Sequence, residues 1–374
     1  MIRFNIIFGQ IEIESPYLWK NGNGHKPLID EMKITHQGRS ETVNRALSDF
    51  GSEESFGQAA KRFKEHYKYD CSASTVSRET KLTAQEAQKY VEDKLSEAGN
   101  RYGEPIQSQI AEKILVESDG CELRTAVLKP TEDSESDGKV KRKKVINWRD
   151  VRIGLTRPLG SVTKTYVGKM DSYPEVVGQL FNASVLIGMT PATEIVGVGD
   201  GGIGLKEELE NQFPDMQFIS DMTHLKDHLY DTAEALKIGE KKRKEWVRSR
   251  SDAISKGKVG EVKSEFEEYN RKHPNARLKR LIGYIERFYY CTDYDRFEEK
   301  GYPIGSGEVE SAHRSVPQKR LKLPGACWHP DSVNPMLALR ILRADDWWND
   351  FWHQRIRMKI AAQSLPTMVN HTRW

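Results

Sequence analysis

Between Gln109 and His224 the chain alternates apolar runs with amphipathic helical patterns in an order that few architectures accept. Gln109–Asp119 reads as a strand ending at Asp119, and Cys121–Pro130 as a second strand. Val145–Arg157 alternates apolar and polar side chains as a third. Tyr173–Met189 has helical spacing with Pro174 in its first turn, where proline is tolerated. Glu194–Gly202 opens on a continuous apolar run of the kind buried on both faces of a sheet. Leu205–Phe213 is an amphipathic helix, and Asp215–His224 holds another buried strand. Three consecutive strands, a helix, a strand, a helix and a strand predict an α/β fold with a mixed sheet rather than repeated βαβ winding.

The flanks read differently. Ile2–Tyr17 alternates around Gly9 as a β-hairpin, and Trp19–Pro27 is rich in turn residues. Glu41–Gly51 is a short helix with Gly51 past its end. Ser55 with Gln58 forms a capping-box pattern for the next helix, Ser72 caps a third, and Thr83 opens a longer one. Two helices, a turn and a Ser/Thr/Arg-bearing helix make a helix-turn-helix candidate in which Ser74, Thr75, Ser77 and Arg78 face DNA; a plain three-helix packing module is the other reading. Residues 131–144 are polar and predict a mobile loop. Leu225–Lys300 is helical, with breaks near Gly257 and Pro274. Val333–Trp352 returns to a helix whose Trp347, Trp348, Phe351 and Trp352 form a stripe, better suited to core packing than to base stacking. The expected organisation is an N-terminal hairpin segment (1–39), a helical DNA-binding region (40–108), a core (109–224 and 301–355) interrupted by a helical insertion (225–300), and a tail (356–374).

Lys and Arg number 58 against 55 Asp and Glu, and the net charge of +3 does not by itself imply nucleic acid. The positive charge is clustered, however: in Lys139–Lys144, in Glu240–Arg250 with Lys241 and Arg243, and in Arg271–Arg280. Such runs either neutralise phosphates or are solvated helix faces. Four cysteines without ligand spacing argue against a disulfide framework or structural zinc. The N-terminus is a poor signal peptide, and no run approaches the ~20 apolar residues of a membrane span. A soluble, cytoplasmic, nucleoid-associated protein with no membrane partner is the expectation.

Asp119 and Asp200 each follow an apolar run and precede glycine. Tyr302–Trp328 places Gly305-Ser306-Gly307 before Glu308 and Glu310, and then a basic segment ending in Trp328. Three carboxylates from three distant segments suggest a divalent-metal site for phosphodiester chemistry. Two Mg²⁺ (or Mn²⁺) ions about 4 Å apart activate the nucleophile and stabilise the leaving oxygen, and both metals accept oxygen ligands. An acid-bearing strand, two more strands, a helix, a second acid-bearing strand, a helical stretch and an acid-bearing helix follow the order of an RNase-H-like nuclease core.

The segments IVGVGDGG, FISDMTHLKDHL, YPIGSGEVESA, QKRLKLPGACW and ALRILRADDWWNDFW resemble bacterial insertion-sequence DDE transposases, most nearly the Kra-four-type group. SFGQAAKRFKEHYKYDCSASTVSRET resembles that group's helical region ahead of the core. The resemblance implies an RNase-H-like core with a helical insertion before the last acid. It implies Mg²⁺-dependent nicking and strand transfer, with transposon ends and target DNA as partners and a homo-oligomer in the synaptic complex. The family's acids fall on Asp119, Asp200 and Glu310, which makes these three the catalytic and metal-holding residues; Glu308 takes a variable position. Asp221 and His224 fit the family's Asp-x-x-His motif, with His228 beyond. His224 then either contacts the scissile phosphate, positions a metal ligand or has a structural role. Arg320, Lys322 and Trp328, with Lys319, match a basic stretch that holds DNA backbone. The chain departs from the pattern at Tyr17–Gly24, where relatives carry a Cys-x-x-Cys knuckle, and a shortened or missing N-terminal segment is expected there. Two other readings remain: a DNA-binding regulator or inactivated transposase remnant, and an RNase-H-fold nuclease that only hydrolyses.

Overall fold

The computed structural model describes residues 1–20, 23–31, 38–68, 70–104, 110–130 and 142–364. Most of the expected mobile loop (131–144) and the end of the tail lie outside the described residues.

The chain opens on the antiparallel hairpin β1 (Ile2–Ile6) and β2 (Gly9–Ile13). The turn-rich segment after it forms a second small hairpin, β3 (Leu18–Lys20) with β4 (Asn23–His25), because its Asn and Gly residues favour tight reversals. The short α1 (Pro27–Glu31) follows. α2 (Glu41–Glu53) and α3 (Phe56–Tyr67) carry the caps Ser40 and Ser55, each accepting a backbone N–H. Gly51 does not end α2. It lies inside the helix, where a Cβ would stand 2.0 Å from the Thr80 hydroxyl, so glycine permits close helix approach. α4 (Ala73–Gly99) is one helix of 27 residues rather than two. Ser72 caps it, accepting the Thr75 N–H at 3.1 Å. Thr83, expected to open a second helix, is buried mid-helix and hydrogen-bonds Ser48 at 2.8 Å.

β5 (Lys113–Pro130) runs unbroken through the two strands expected there. β6 (Arg142–Pro158) is the next, and β7 (Thr165–Lys169) has no counterpart among the sequence expectations. α5 (Tyr173–Leu186), β8 (Glu194–Gly199), α6 (Leu205–Gln212) and β9 (Gln217–Ser220) follow as expected. The helical stretch resolves into α7 (Met222–Ala235), α8 (Glu240–Ser255), α9 (Val259–Lys272), α10 (Ala276–Arg287) and α11 (Tyr294–Glu299). Its extra breaks fall at Lys237, in the left-handed region at φ 57°, and at the 3₁₀ turn Tyr289–Cys291. α12 (Gly307–His313) passes through a π-turn at Arg314–Gln318 into α13 (Lys319–Leu321). α14 (Val333–Ala344) and α15 (Trp348–Ser364) complete the described chain, separated at Asp346 (φ 57°).

Two compact units emerge: Met1–Glu92 with Arg124–Asn147 and Val316–Trp374, and Asp93–Leu123 with Trp148–Ser315. In the first, Val43, Leu47, Ala59, Phe63 and Val76 bring α2, α3 and α4 together. Arg355 of α15 is buried among Glu41, Glu79 and Glu86. Trp348, Phe351 and Trp352 are core residues, so their stripe packs and does not offer stacking faces.

The second unit is built on the five-stranded sheet β7-β6-β5-β8-β9. β6 and β7 are antiparallel, whereas β5–β8 and β8–β9 are parallel. Ser118 bonds the Ile153 carbonyl and Thr125 the Asn147 carbonyl, so β5 and β6 also run antiparallel. The result is a mixed α/β fold. Leu115, Val196, Val198 and Ile219 of the sheet pack against Leu225, Leu229, Leu278, Leu281 and Ile285 of the helices.

Candidate active site

β5 pairs with β8 from Lys113↔Glu194 to Glu117↔Val198. Carried two residues further, that register sets Asp119 opposite Asp200. Neighbouring strands lie about 4.8 Å apart, and residues opposite each other in a parallel pair share a face. Two acids 81 positions apart in sequence therefore become neighbours. Asp119 is not at a strand end, as expected, but in mid-strand; the strand that stops is β8, at Gly199, while β5 runs on toward Pro130 beside β6.

Tyr173, at the start of α5, stands near the segments that carry both acids. Its hydroxyl lies 3.4 Å from where a Cβ on Gly202 would stand and 3.9 Å from the same point on Gly120. Burial pushes its phenol up, the Asp200 and Asp119 charges push in the same direction, and Arg152, stacked on the ring at 4.4 Å, pulls against them. One hydroxyl senses both carboxylates.

Each carboxylate accepts a backbone N–H from a glycine just after it. Asp119 Oδ1 accepts the Gly120 N–H at 2.7 Å, and Asp200 Oδ1 accepts the Gly202 N–H at 2.8 Å. Gly201 has φ +84°, and a Cβ there would meet the Phe288 and Tyr284 rings at about 3 Å, so both conformation and space demand glycine. Arg287 of α10 donates to the Gly201 carbonyl at 3.3 Å and pairs with Glu207 at 2.8 Å. The helical insertion thereby anchors the loop after Asp200.

α12 docks against the same strand. The Val309 N–H donates to the Glu117 carboxylate at 2.8 Å, and His313 Nε2 lies 3.2 Å from Asp119 Oδ2. The second contact has ion-pair distance without an aligned hydrogen bond, since both His313 ring nitrogens lack one. Burial pulls the His313 pKa down, but Asp119 and Cys121 outweigh it and raise it to about 9, so the ring is an imidazolium at neutral pH. Glu308 is engaged by Arg157 at 2.6 Å and Lys164 at 2.9 Å. Glu310 is exposed, one helical turn before His313 and on the same side of α12. α12 itself is fixed to β5 through Val309 and His313.

Asp221 serves architecture. Its Oδ1 caps α7 through the Thr223 N–H (2.6 Å) and His224 N–H (3.0 Å), and its Oδ2 accepts the Ser306 N–H at 2.7 Å and the Ser306 hydroxyl. It ties the Gly-Ser-Gly turn to the end of β9. The His224 side chain is exposed on the first turn of α7. Among the described contacts its ring meets His228, 5.5 Å away, and none of the three acids.

Sequence reasoning missed Glu117, Tyr173 and His313. Glu117 lies two residues before Asp119 and hence on the same strand face, and His313 lies three residues after Glu310. Those spacings were the available signals; nothing local marks Tyr173.

The residues expected to meet DNA separate into two groups. Ser74, Arg78, Lys241 and Lys322 are exposed, Thr75 is half-buried against Ser72 at 3.0 Å, and Arg243 lies 3.7 Å from Glu234. Lys319 is paired with Glu53 at 2.5 Å. Arg320 and Trp328 are buried instead. The guanidinium lies between the Phe56 and Trp328 rings, and the indole N–H donates to the Leu321 carbonyl at 3.0 Å. Neither side chain projects from the surface, because cation–π packing has drawn both inward.

Asp119 and Asp200 suit a divalent ion chemically, as oxygen donors from adjoining strands. Among the described residues, however, no three His, Cys, Asp or Glu side chains close into a ready metal-binding group. Glu310 is exposed on α12 and makes no described contact with either aspartate. No described helix is long and apolar enough to cross a membrane.

No family model and no curated protein matches the chain. A solved structure, the Drosophila P element transposase strand transfer complex, aligns over 89% of this chain and 85% of that one, with 10% identity and a TM-score of 0.29.

Proposed function

We propose that the chain is a metal-dependent DNA-processing enzyme of the DDE transposase type, which nicks DNA and joins a 3′ hydroxyl to a target strand. The observation that carries this reading is the register of β5 on β8. Extended by two residues, it would bring Asp119 beside Asp200 near the end of β8, and the docking of α12 on β5 supports Glu310 as the third acid. Three antiparallel strands leading into two parallel ones match the order of an RNase-H-like core, and α7–α11 stand between the second and third acids as a helical insertion would. The GSGEVESA and DMTHLKDH segments support the same family. Asp119, Asp200 and Glu310 would hold Mg²⁺ or Mn²⁺, two ions in all, whose chemistry there would be to polarise the phosphate and acidify an attacking water. His313 holds Asp119 in place, and Tyr173 bounds the space beside the acid pair. The helices α3 and α4, with Ser74 and Arg78 exposed, are the region assigned to binding transposon ends.

Nicking of supercoiled plasmid tests the reading. We expect it to require Mg²⁺ or Mn²⁺ and to fall about 100-fold or more in Asp119→Asn, Asp200→Asn and Glu310→Gln, the scale on which losing one charge-stabilising group acts. Joining of a 3′-hydroxyl oligonucleotide separates a transposase from a nuclease that only hydrolyses. The regulator reading draws on His313 already pairing with Asp119; an unmutated protein that binds DNA and never nicks it would establish that reading and overturn ours.

A further inference from the structure

The first unit buries four arginines among its described residues: Arg39, Arg320, Arg340 and Arg355. Three have a carboxylate. Arg39 pairs with Glu79, Arg340 with Glu53, and Arg355 with Glu41, Glu79 and Glu86. Arg320 has none. It is 3% exposed, its Nε donates to the Gly51 carbonyl at 2.8 Å, and its remaining contacts are the Phe56 and Trp328 rings at 4.6 and 4.7 Å. Its two terminal nitrogens make no hydrogen bond to the described protein. A buried charge without a counter-charge is costly, and burial with the nearby Arg340 charge lowers the Arg320 pKa to about 10.

The guanidinium borders an open cavity of about 330 Å³. Lys81 and His329 also line it, with the Ser55 and Ser332 hydroxyls, and no acidic side chain does. Lys81 is exposed on α4, while His329 stands 3.4 Å from the exposed Asp331. The volume is at the small end of ligand pockets. Both rings are occupied in stacking on Arg320, so the polar end of the cavity rather than an aromatic slot is what it offers.

We infer that this cavity is a binding site for a phosphate group, received by the free edge of Arg320 with Lys81 as the second cation. A guanidinium presents paired donors that match phosphate oxygens, and a phosphate supplies the missing negative charge. The group belongs either to a phosphodiester of a DNA strand or to a small phosphate ester. Only the first source rests on the DNA-processing reading; the phosphate site itself does not.

Thermal unfolding of the full chain in inorganic phosphate, against chloride of equal ionic strength, tests the site. We expect phosphate in several-fold excess over its dissociation constant to raise Tm by about 2 °C. The shift should be at least halved in Lys81→Gln, an exposed position where folding is not at risk, and lost in Arg320→Lys, which keeps the charge but not the fork. No shift in the unmutated chain, or equal shifts in all three, overturns the proposal. Anisotropy of a labelled single-stranded oligonucleotide identifies the source. Several-fold weaker binding by Lys81→Gln, with competition by inorganic phosphate, assigns a DNA phosphate; a phosphate shift in Tm with oligonucleotide affinity unchanged assigns a small ester. A chain that nicks plasmid but gives no phosphate shift sinks the cavity alone, and a phosphate shift without nicking sinks the enzymatic reading alone.

Discussion

Glu117 is 0% exposed, two residues from Asp119, and its Oε1 has no partner. Burial pushes its carboxyl up to about 8; the Val309 N–H pulls against that rise, and Glu308 adds to it. The folded chain therefore keeps a proton there that the unfolded chain releases near 4.5. Stability contributed by this group is greatest below that value, falls as pH rises toward 8, and is lost above it. Glu117→Gln removes the titration. We expect the unmutated protein to lose roughly a few kcal/mol relative to Glu117→Gln between pH 5 and pH 9, at about 1.4 kcal/mol for each tenfold difference in proton affinity between the folded and unfolded chain. Urea unfolding at both pH values checks this; parallel pH profiles would show that Glu117 ionises as freely as in water. Nothing in the run ILVESDG marks Glu117 as different from a surface acid. Its burial follows from the docking of α12, 192 residues away.

At the scale of elements, Asp221 links the start of α7 to the turn before α12. Burial raises its carboxyl, but the Ser306 hydroxyl and N–H, with the His224 and Thr223 N–H groups, outweigh burial and hold it below the usual carboxylate range. Its contribution is present above the ordinary carboxylate pKa and lost as pH falls through the lowered value. Asp221→Ala leaves four donors without their acceptor. We expect a loss of about 3 kcal/mol, given that unsatisfied buried groups cost about 1–3 kcal/mol each and that some here regain water. A midpoint of denaturation within error of the parent would show that the turn and α7 are secured otherwise. The caps at Ser55 and Ser72 were legible because a cap depends on residues within one turn. Gly51, Thr83 and the continuity of β5 were not: whether a glycine ends a helix or admits a neighbour, and whether Asp-Gly turns a strand or lies within one, depends on what packs alongside.

For the whole molecule, 58 basic residues nearly balance 55 acidic ones, and much of the charge is consumed in pairs. Arg250–Glu265 and Lys272–Glu268 neutralise cations in segments that the sequence presents as basic runs, and Lys206–Glu210 and Lys263–Glu286 pair others. Exposed Arg78 and Lys322 have no such pair among the described residues. If they meet phosphates, duplex affinity should fall linearly in log–log form with salt, and Arg78→Ala or Lys322→Ala should each reduce that slope by about 1. Titrations at several salt concentrations decide it; unchanged slopes would remove both residues from the interface.

The sequence alone determined the alternation of strands and helices, most caps, and the positions of Asp119 and Asp200 beside apolar runs, because these depend on neighbours within a few residues. Tertiary structure alone decided that the two acids stand side by side, that Glu117 is buried, and that Arg320 lies inside while its neighbour Lys322 stays exposed. Strand register and the pairing of buried charges join residues tens to hundreds of positions apart, and no local pattern encodes which distant group will arrive.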